Sequence, residues 1–140
     1  MYHRLVLVVG PPRSGKTKIL QEIARTTQIP LISVSLELSR RLLDLTERQR
    51  VLRVSALLKD IVAEHAGEVV LLDNLEILFD ISLQQDPLRL LQQLARVRTV
   101  VAAWNGHVQD GHLTYGAPDH PEFRRYPVSG LLVVGAEVAL

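Results

Sequence analysis

The sequence predicts a three-layer α/β fold with a mostly parallel central sheet, and three observations support this. Short apolar segments that suit buried strands alternate with longer segments of helical periodicity. The first apolar segment runs into a turn that contains glycine and proline, and a helical segment follows it. The third apolar segment ends in an acidic residue. This order of elements favours a doubly wound sheet with helices on both faces.

Length and composition limit the class of protein. The chain has 140 residues, which predicts one domain over residues 1–140. A hydrophobic content of 47% is enough for a filled core, and a formal net charge of +1 neither requires nor excludes a nucleic-acid partner. The absence of cysteine excludes disulfides, thiolate zinc sites and cysteine nucleophiles. No segment approaches the ~20 apolar residues needed to cross a membrane, so we expect a cytoplasmic protein.

Strand and helix boundaries follow from apolar spacing and from turn residues. Strands are predicted at 5–9, 29–36, 69–73 and 99–105. The segment from 37 to 67 is predicted to be helical in two pieces, and residues 87–98 begin a further helix at a proline. Asp110-Gly111 predicts a β-hairpin inserted near the C-terminus. No helical lid domain is expected after the last apolar segment, "LLVVGAEVAL".

The first turn fits the phosphate-loop pattern G-x-x-x-x-G-K-[ST]. Its glycines allow successive N–H groups to point at a phosphate, Lys16 is expected to reach the terminal phosphates, and Thr17 to offer its hydroxyl to Mg²⁺. The alternative is a strand-to-helix turn with an incidental lysine. The predicted ATP-binding residues are Gly10, Pro11, Pro12, Arg13, Ser14, Gly15, Lys16, Thr17 and Lys18.

The third strand, "VVLLD", is typical of a Walker B strand, which ends in an acid beside the phosphate loop. Asp73 is therefore the predicted second Mg²⁺ ligand. The alternative is that Asp73 caps a helix formed by "NLEILFD". The two roles are compatible with each other.

The predicted site also needs a carboxylate that positions the attacking water. Many ATPases of this class place a glutamate directly after the Walker B aspartate, but this chain has Asn74 there, and asparagine cannot accept a proton. Glu76 is the nearest carboxylate and the candidate catalytic base. The alternative is a solvated helix residue. ATP binding is therefore better supported than ATP turnover.

The fourth strand ends in Asn105. In ATPases of the additional-strand class, which includes the AAA+ proteins, a strand between the phosphate-loop strand and the Walker B strand ends in a polar residue, sensor 1. Asn105 lies at the matching place and is a catalytic candidate together with Lys16, Asp73 and Glu76. The alternative is a turn asparagine, because Asn-Gly is a common turn pair. Trp104 is predicted to pack in the core or in an interface.

Two groups of arginines outside the phosphate loop are functional candidates. Arg124 and Arg125 lie in an irregular stretch after the hairpin. One of them, or Arg96 or Arg98 before the fourth strand, could contact ATP bound by a neighbouring subunit, although a surface arginine is usually only solvated. The second group predicts a basic surface that could bind DNA, dock a protein or only be solvated. It consists of Arg40, Arg41, Arg48, Arg50 and Arg53.

Six segments in order resemble one family: "GPPRSGKT", "LELSRRLLDLTERQR", "LLDNLEILFD", "QDPLRLLQQLAR", "AAWNG" and "LTYGAPDHPEFRRY". They are similar to the small P-loop proteins of bacterial BREX phage-defence systems, the BrxF family, over most of the chain. The resemblance implies an ATP-binding component of phage exclusion that acts with other phage-defence proteins.

Two functions stay open at the level of the sequence. The chain is either a Mg²⁺-dependent ATPase or a nucleotide-dependent assembly subunit with little or no hydrolysis. A GTPase is not favoured, because no N-K-x-D motif is present. A core without a lid closes its site poorly alone, so a homo-oligomer or another partner chain is expected.

Overall fold

A computed structural model describes residues 4–136, so the first three and last four residues of the predicted domain 1–140 lie outside the described residues. The strands are β1 (Leu5–Gly10), β2 (Leu31–Ser33), β3 (Val69–Asp73), β4 (Thr99–Gln109), β5 (His112–Tyr115), β6 (Arg124–Pro127) and β7 (Leu132–Gly135). The α-helices are α1 (Lys16–Thr27), α2 (Val34–Leu42), α3 (Glu47–Ala63) and α4 (Pro87–Leu94), and two 3₁₀-helices span Glu76–Phe79 and Ile81–Leu83. Within residues 4–136, no helix is long and apolar enough to cross a membrane.

The central sheet has the strand order β2-β3-β4-β1-β7, and all four pairings along this path are parallel. The predicted α/β fold with a mostly parallel sheet is therefore confirmed. β4 lies between β1 and β3, which is the additional strand that the sequence predicted. Since these three strands run in the same direction, their carboxyl ends meet at one edge of the sheet, where Gly10 is paired with Asn105.

The three layers follow from the alternation of side chains along the strands. Val8, Leu71 and Ala103 point to one face, where they pack around Leu20 of α1. Their neighbours point to the opposite face and join a larger core under α2, α3 and α4. Parallel strands buried on both faces need apolar residues at nearly every position, as β1 and β3 have.

The prediction of a strand over 29–36 was wrong in its second half. β2 ends at Ser33, and α2 begins at Val34. Val34 and Leu38 are buried, whereas Leu36 between them is 50% exposed. A strand would place all three side chains on one face, but a helix separates Leu36 from the other two. The two predicted helical pieces are present as α2 and α3, and α3 begins with a capping box between Thr46 and Gln49.

The predicted hairpin is present, but it belongs to a larger antiparallel extension. β4 continues past the central sheet and pairs with β5, and β5 pairs with β6. Asp110 and Gly111 both have positive φ, 53° and 75°, as a two-residue type I′ turn requires. The stretch that contains Arg124 and Arg125, predicted to be irregular, is strand β6. It pairs with β5 in antiparallel orientation, which the sequence alone did not indicate.

Candidate functional site

The phosphate loop joins β1 to α1, and its two glycines are required for different reasons. A Cβ on Gly10 would lie 2.3 Å from the hydroxyl oxygen of Ser14 and 3.1 Å from its Cβ, so a larger residue there would displace the Ser14 side chain. Gly15 has a φ of 100°, a left-handed conformation that residues with a Cβ rarely adopt. Ser14 N donates to Pro11 O at 3.2 Å, which closes the turn. The sequence pattern therefore folds as the tight loop that its spacing predicts.

Lys16, the first residue of α1, is only 5% exposed although it is charged. Its ammonium donates to the carbonyl oxygens of Gly10 at 2.9 Å and Pro11 at 2.6 Å, and to the hydroxyl of Ser14 at 3.3 Å. These bonds bring the positive charge over the loop and satisfy the donors of a side chain that is costly to bury. The charge is consequently placed beside the cleft that the loop encloses.

The beginning of α1 suits an anion. Gly15 occupies the N-cap, so no side chain caps the helix, and the first turn contains no acidic residue. The first N–H groups of a helix have no partner within the helix, and the helix dipole is positive at this end. In a loop that also carries Lys16, these groups have the polarity that suits a phosphate.

Thr17 and Asp73 connect the phosphate loop to the end of β3. The hydroxyl of Thr17 donates to Asp73 Oδ2 at 2.8 Å, and Asn74 N donates to Asp73 Oδ1 at 2.9 Å. Asp73 is 7% exposed. The helix-cap role for Asp73 is not observed, because Leu75 occupies the N-cap of the following 3₁₀-helix. A hydroxyl and a carboxylate in contact are the hard oxygen donors that Mg²⁺ prefers, so the donor pair fits this ion.

Glu76 meets Asn105, the last predicted residue of the fourth strand. Asn105 Nδ2 donates to Glu76 Oε2 at 2.8 Å. The Glu76 side chain is open to the cleft, but the surrounding protein removes part of its water, and this desolvation raises the pKa of its carboxyl group. A hydrogen bond from its own backbone N–H opposes the rise, the charge of Asp73 adds to it, and the charge of Lys16 opposes it.

The segment between Asp73 and Glu76 contains a feature that the sequence did not reveal. Asn74 has a φ of 55°, in the left-handed region. Its side-chain amide donates to Ser33 Oγ at 2.9 Å, and its carbonyl accepts bonds from the backbone and the hydroxyl of Ser35. The end of β2 and the start of α2 thus hold the turn that leads to Glu76. The only signal in the sequence is the pair of serines in "SVS", which an alternating strand explains equally well.

Aromatic side chains connect the antiparallel extension to this turn. Phe79, at the end of the 3₁₀-helix that begins with Glu76, stacks on Tyr115 of β5 with ring centroids 3.5 Å apart. Trp104 is buried, as predicted, and its indole N–H donates to Thr114 O at 3.0 Å. Burial, followed by the charges of Glu76 and Glu122, raises the pKa of Tyr115 to about 12. The extension therefore packs against Phe79 of the 3₁₀-helix that begins with Glu76 and against Trp104, the residue before Asn105.

One cleft of about 550 Å³ gathers most of the predicted site residues. It is lined by Pro12, Arg13, Ser14, Gly15, Lys16, Thr17, Lys18, Asp73, Asn74, Glu76 and Asn105. Gly10 and Pro11 lie on the other side of the loop and line a separate apolar cavity of about 560 Å³. A third cavity of about 650 Å³ shares Pro12, Glu76 and Asn105 with the cleft and continues toward the antiparallel extension.

Arg124 and Arg125 do not line this cleft. Arg124 is half-buried, and its guanidinium donates to the carbonyl oxygen of Phe123 at 3.2 Å. Arg125 is exposed and lies 3.2 Å from the imidazole of His112. Consecutive residues of a strand point to opposite faces, so the two guanidinium groups cannot act as one pair on the same face of β6.

The predicted basic surface is more neutral than the sequence suggested. Arg41 forms ion pairs with Glu37 at 2.8 Å and Glu64 at 2.7 Å, and Arg40 lies 3.5 Å from Glu37. Arg50 donates to the backbone carbonyl of Leu45 at 3.1 Å. Glu37 and Glu64 lie outside the segment from Arg40 to Arg53, so the charges of that segment alone did not indicate these ion pairs. The exposed members of the group are Arg40, Arg48 and Arg53.

Fold and site together define a P-loop nucleotide-binding domain of the additional-strand class, with β4 between the phosphate-loop strand and β3. Residues 6–103, well over half of the chain, match the family model AAA, described as the ATPase family associated with various cellular activities. The chain therefore belongs to the AAA family. No curated protein matches the sequence. The matched range ends within β4, so β5 and β6 of the antiparallel extension lie beyond it.

Proposed function

We propose that this chain binds ATP with Mg²⁺ in the phosphate-loop cleft as a single domain over residues 1–140. The observation that carries the proposal is the convergence of Lys16, Thr17 and Asp73 on one cleft, with Thr17 and Asp73 joined at 2.8 Å. Membership of an ATPase family supports the nucleotide. Residues 12–18 would surround the phosphates, with Gly10 and Pro11 forming the base of the loop.

The Mg²⁺ ligands from the protein would be Thr17 and Asp73. Both are oxygen donors, and they come from the two elements that flank the cleft. Mg²⁺ usually takes one or two protein ligands and completes its shell with phosphate oxygens and water. When bound, the ion neutralises phosphate charge. Asp73 orients the Thr17 hydroxyl by accepting its proton in a hydrogen bond, which keeps an oxygen lone pair of Thr17 free to bind the ion.

Hydrolysis would depend on Glu76 and Asn105. A carboxylate with a raised pKa is a better base than an ordinary glutamate, and Glu76 is open to the cleft. Asn105 would hold that carboxylate by the 2.8 Å bond and present its amide to the terminal phosphate or the attacking water. Asn74 takes no part in proton transfer, because an amide cannot accept the proton.

A second candidate function is nucleotide-dependent assembly with little or no hydrolysis. The observation that favours it is the hydrogen bond between Asn105 and Glu76. A carboxylate engaged by an amide is less available to a water molecule, and the residue directly after Asp73 is Asn74. In this case ATP would stabilise contacts between protomers, and it would be hydrolysed slowly or not at all.

The cellular role that we propose is a subunit of a bacterial phage-defence complex of the BREX type, and its support is the similarity of the six sequence segments. A homo-oligomer is proposed because AAA proteins often assemble. Arg124 or Arg125 would be the contact to ATP of a neighbouring protomer, and Arg125 is the more accessible of the two. DNA contact would fall to the exposed arginines of the predicted basic surface, Arg40, Arg48 and Arg53.

The two candidate functions are separated by two measurements on the same samples. Mass photometry with and without ATP, Mg²⁺ and double-stranded DNA reports assembly, and phosphate release reports turnover. Phosphate release that requires Mg²⁺ supports the ATPase. ATP-dependent assembly without phosphate release supports the assembly subunit. A chain that neither assembles nor releases phosphate, and whose thermal melting ATP does not change, contradicts both.

A further inference from the structure

One side chain, that of Ser35, hydrogen-bonds to the backbone on both sides of Glu76. Its hydroxyl donates to Asn74 O at 2.6 Å and accepts from Ile77 N at 3.2 Å. Its backbone N–H also donates to Asn74 O at 2.9 Å. Ser35 is 39 residues from Asn74 and 42 residues from Ile77 in the sequence. The first turn of α2 thus clasps the two ends of the short segment that carries Glu76.

That segment needs such support because its conformation is unfavourable by itself. Asn74 has left-handed backbone geometry, with a φ of 55°, which persists only where the surroundings fix it. Leu75 and Leu78 are buried on either side of Glu76, at 2% and 0% exposure, so they fix which way the turn faces. The contacts of Ser35 add a restraint on the main chain itself, before and after Glu76.

We propose that Ser35 is a positioning residue that holds the Glu76 carboxylate against Asn105 in the cleft. The inference rests on the proposed function, in which Glu76 orients water for hydrolysis. A hydrogen bond of 2.8 Å tolerates little displacement of its carboxylate, because hydrogen bonds weaken steeply beyond about 3.2 Å. Loss of the Ser35 hydroxyl would remove its bond with Ile77 N and one of its two bonds to Asn74 O, which would loosen the turn and let Glu76 move away from Asn105.

Ser33 makes a different contact and is not interchangeable with Ser35. Its hydroxyl accepts from the side-chain amide of Asn74 at 2.9 Å. This bond orients the Asn74 side chain, whereas the bonds of Ser35 reach the main chain on both sides of Glu76. The hydroxyl of Ser35 is therefore the group to remove, and Ser39, an exposed residue on the same helix, provides a matched control.

The test compares Ser35→Ala, Ser35→Thr and Ser39→Ala by NMR of the Asn105 side-chain amide, which is assigned by its loss in Asn105→Ala. In Ser35→Ala we expect this signal to move. The position of this signal should change with pH as Glu76 is protonated, and in Ser35→Ala we expect the midpoint of that change to shift to lower pH, because a released carboxylate regains water. Ser35→Thr keeps the hydroxyl and Ser39→Ala keeps Ser35, so both should match the wild type. Turnover in Ser35→Ala should fall about 10-fold with KM for ATP within about 2-fold, as expected for an interaction that acts on chemistry rather than binding.

A wild-type amide signal and titration in folded Ser35→Ala would overturn the inference. If Ser35→Ala does not fold, Ser35→Cys replaces it, since a thiol is a weaker donor and acceptor of similar size, and a smaller shift of the same sign is expected. The amide readout needs no turnover. A wild type that releases no phosphate would therefore contradict hydrolysis, while the NMR comparison still decides the role of Ser35.

Discussion

The side-chain amide of Asn105 donates a 2.8 Å hydrogen bond to the carboxylate of Glu76, and this contact joins the end of β4 to the turn after β3. The two residues are 29 positions apart in the sequence. The sequence predicted a role for each residue separately, and the alternatives were a solvated helix residue for Glu76 and a turn asparagine for Asn105. Their contact in the cleft that contains Lys16, Thr17 and Asp73 leads to predictions for chemistry, pH dependence and assembly.

We predict that Glu76→Gln lowers ATP turnover by about 10² to 10⁴, which is the typical contribution of a general base, and leaves ATP affinity within a few fold. The substitution keeps the size of the side chain and its acceptor for Asn105. Turnover is measured by phosphate release, and affinity by titration calorimetry. Glu22→Gln on the exposed part of α1 is the control and should match the wild type. Equal turnover in all three proteins would return Glu76 to the role of a solvated residue.

The pH dependence of turnover should reflect Glu76. The base acts when deprotonated, and burial raises its pKa above the ordinary value of 4.5. The turnover number, kcat, should therefore fall on the acid side at a midpoint higher than an ordinary glutamate would give. The measurement is kcat from pH 4 to pH 8, scanned over the range in which the protein stays folded. A midpoint at or below the ordinary value would contradict the desolvated position of this carboxylate.

The raised pKa of Glu76 should also appear in the pH dependence of thermal stability. The folded state binds the Glu76 proton more tightly than the unfolded state, so the wild type loses stability as the pH rises through the folded pKa. Glu76→Gln carries no charge at any pH. Its Tm should match the wild type below the unfolded pKa and exceed it at neutral pH. A constant difference in Tm from pH 4 to pH 8 would contradict this assignment.

We expect Thr17→Val to weaken the Mg²⁺ dependence of ATP binding, by about 10-fold in the Mg²⁺ concentration required, which is the lower end of the effect of changing a metal site. Valine matches the shape of threonine but cannot donate to Asp73 or bind an ion. ATP affinity is measured over a Mg²⁺ series. Thr17→Ser keeps the hydroxyl and should restore the dependence. If Thr17→Val and Thr17→Ser respond identically to Mg²⁺, the hydroxyl is not a ligand.

For assembly, sedimentation with ATP and Mg²⁺ should give larger species than sedimentation without nucleotide. A ligand that binds the assembled state more tightly shifts the equilibrium toward that state. Alanine at both Arg124 and Arg125 should weaken the shift while the monomer stays folded. Arg89→Ala, an exposed arginine on α4, is the control. Identical sedimentation of the wild type in apo, ADP and ATP samples would exclude self-assembly and favour a complex with other proteins.

The sheet could be predicted from the sequence because its strands depend on local apolar runs. The predicted bounds of β1 and β3 agree with the structure to within one residue. Each is a short apolar run, and the run of β3 ends in an aspartate, so few other secondary structures fit. β2 was predicted too long, because "SVSL" alternates as a strand would. Leu36 is exposed while Val34 and Leu38 on either side are buried, which fits a helix and not a strand, and this burial depends on packing against other elements.

The phosphate loop and the position of Glu76 differ in how far they could be predicted from the sequence. The phosphate loop is a local motif, and the spacing of Gly10, Gly15 and Lys16 predicts its conformation. The position of Glu76 depends instead on the left-handed Asn74 and on contacts with Ser35 across 39 residues or more. No local pattern encodes such contacts. The ion pair between Arg41 and Glu64 could not be predicted for the same reason, because the two residues are 23 positions apart.

Titration calorimetry of ATP with Mg²⁺ against Lys16 variants tests the central claim most directly. Lys16→Ala removes the whole side chain, and Lys16→Met keeps its length without the charge. Lys59→Ala, an exposed lysine on α3, is the control, and circular dichroism reports folding. We predict that both Lys16 variants stay folded and bind ATP about 10- to 100-fold more weakly than the wild type, since a hydrogen bond to a charged group contributes about 1.5–3 kcal/mol. Lys59→Ala should bind like the wild type. Wild-type ATP affinity in folded Lys16→Met and Lys16→Ala would contradict the assignment of this cleft as the nucleotide site.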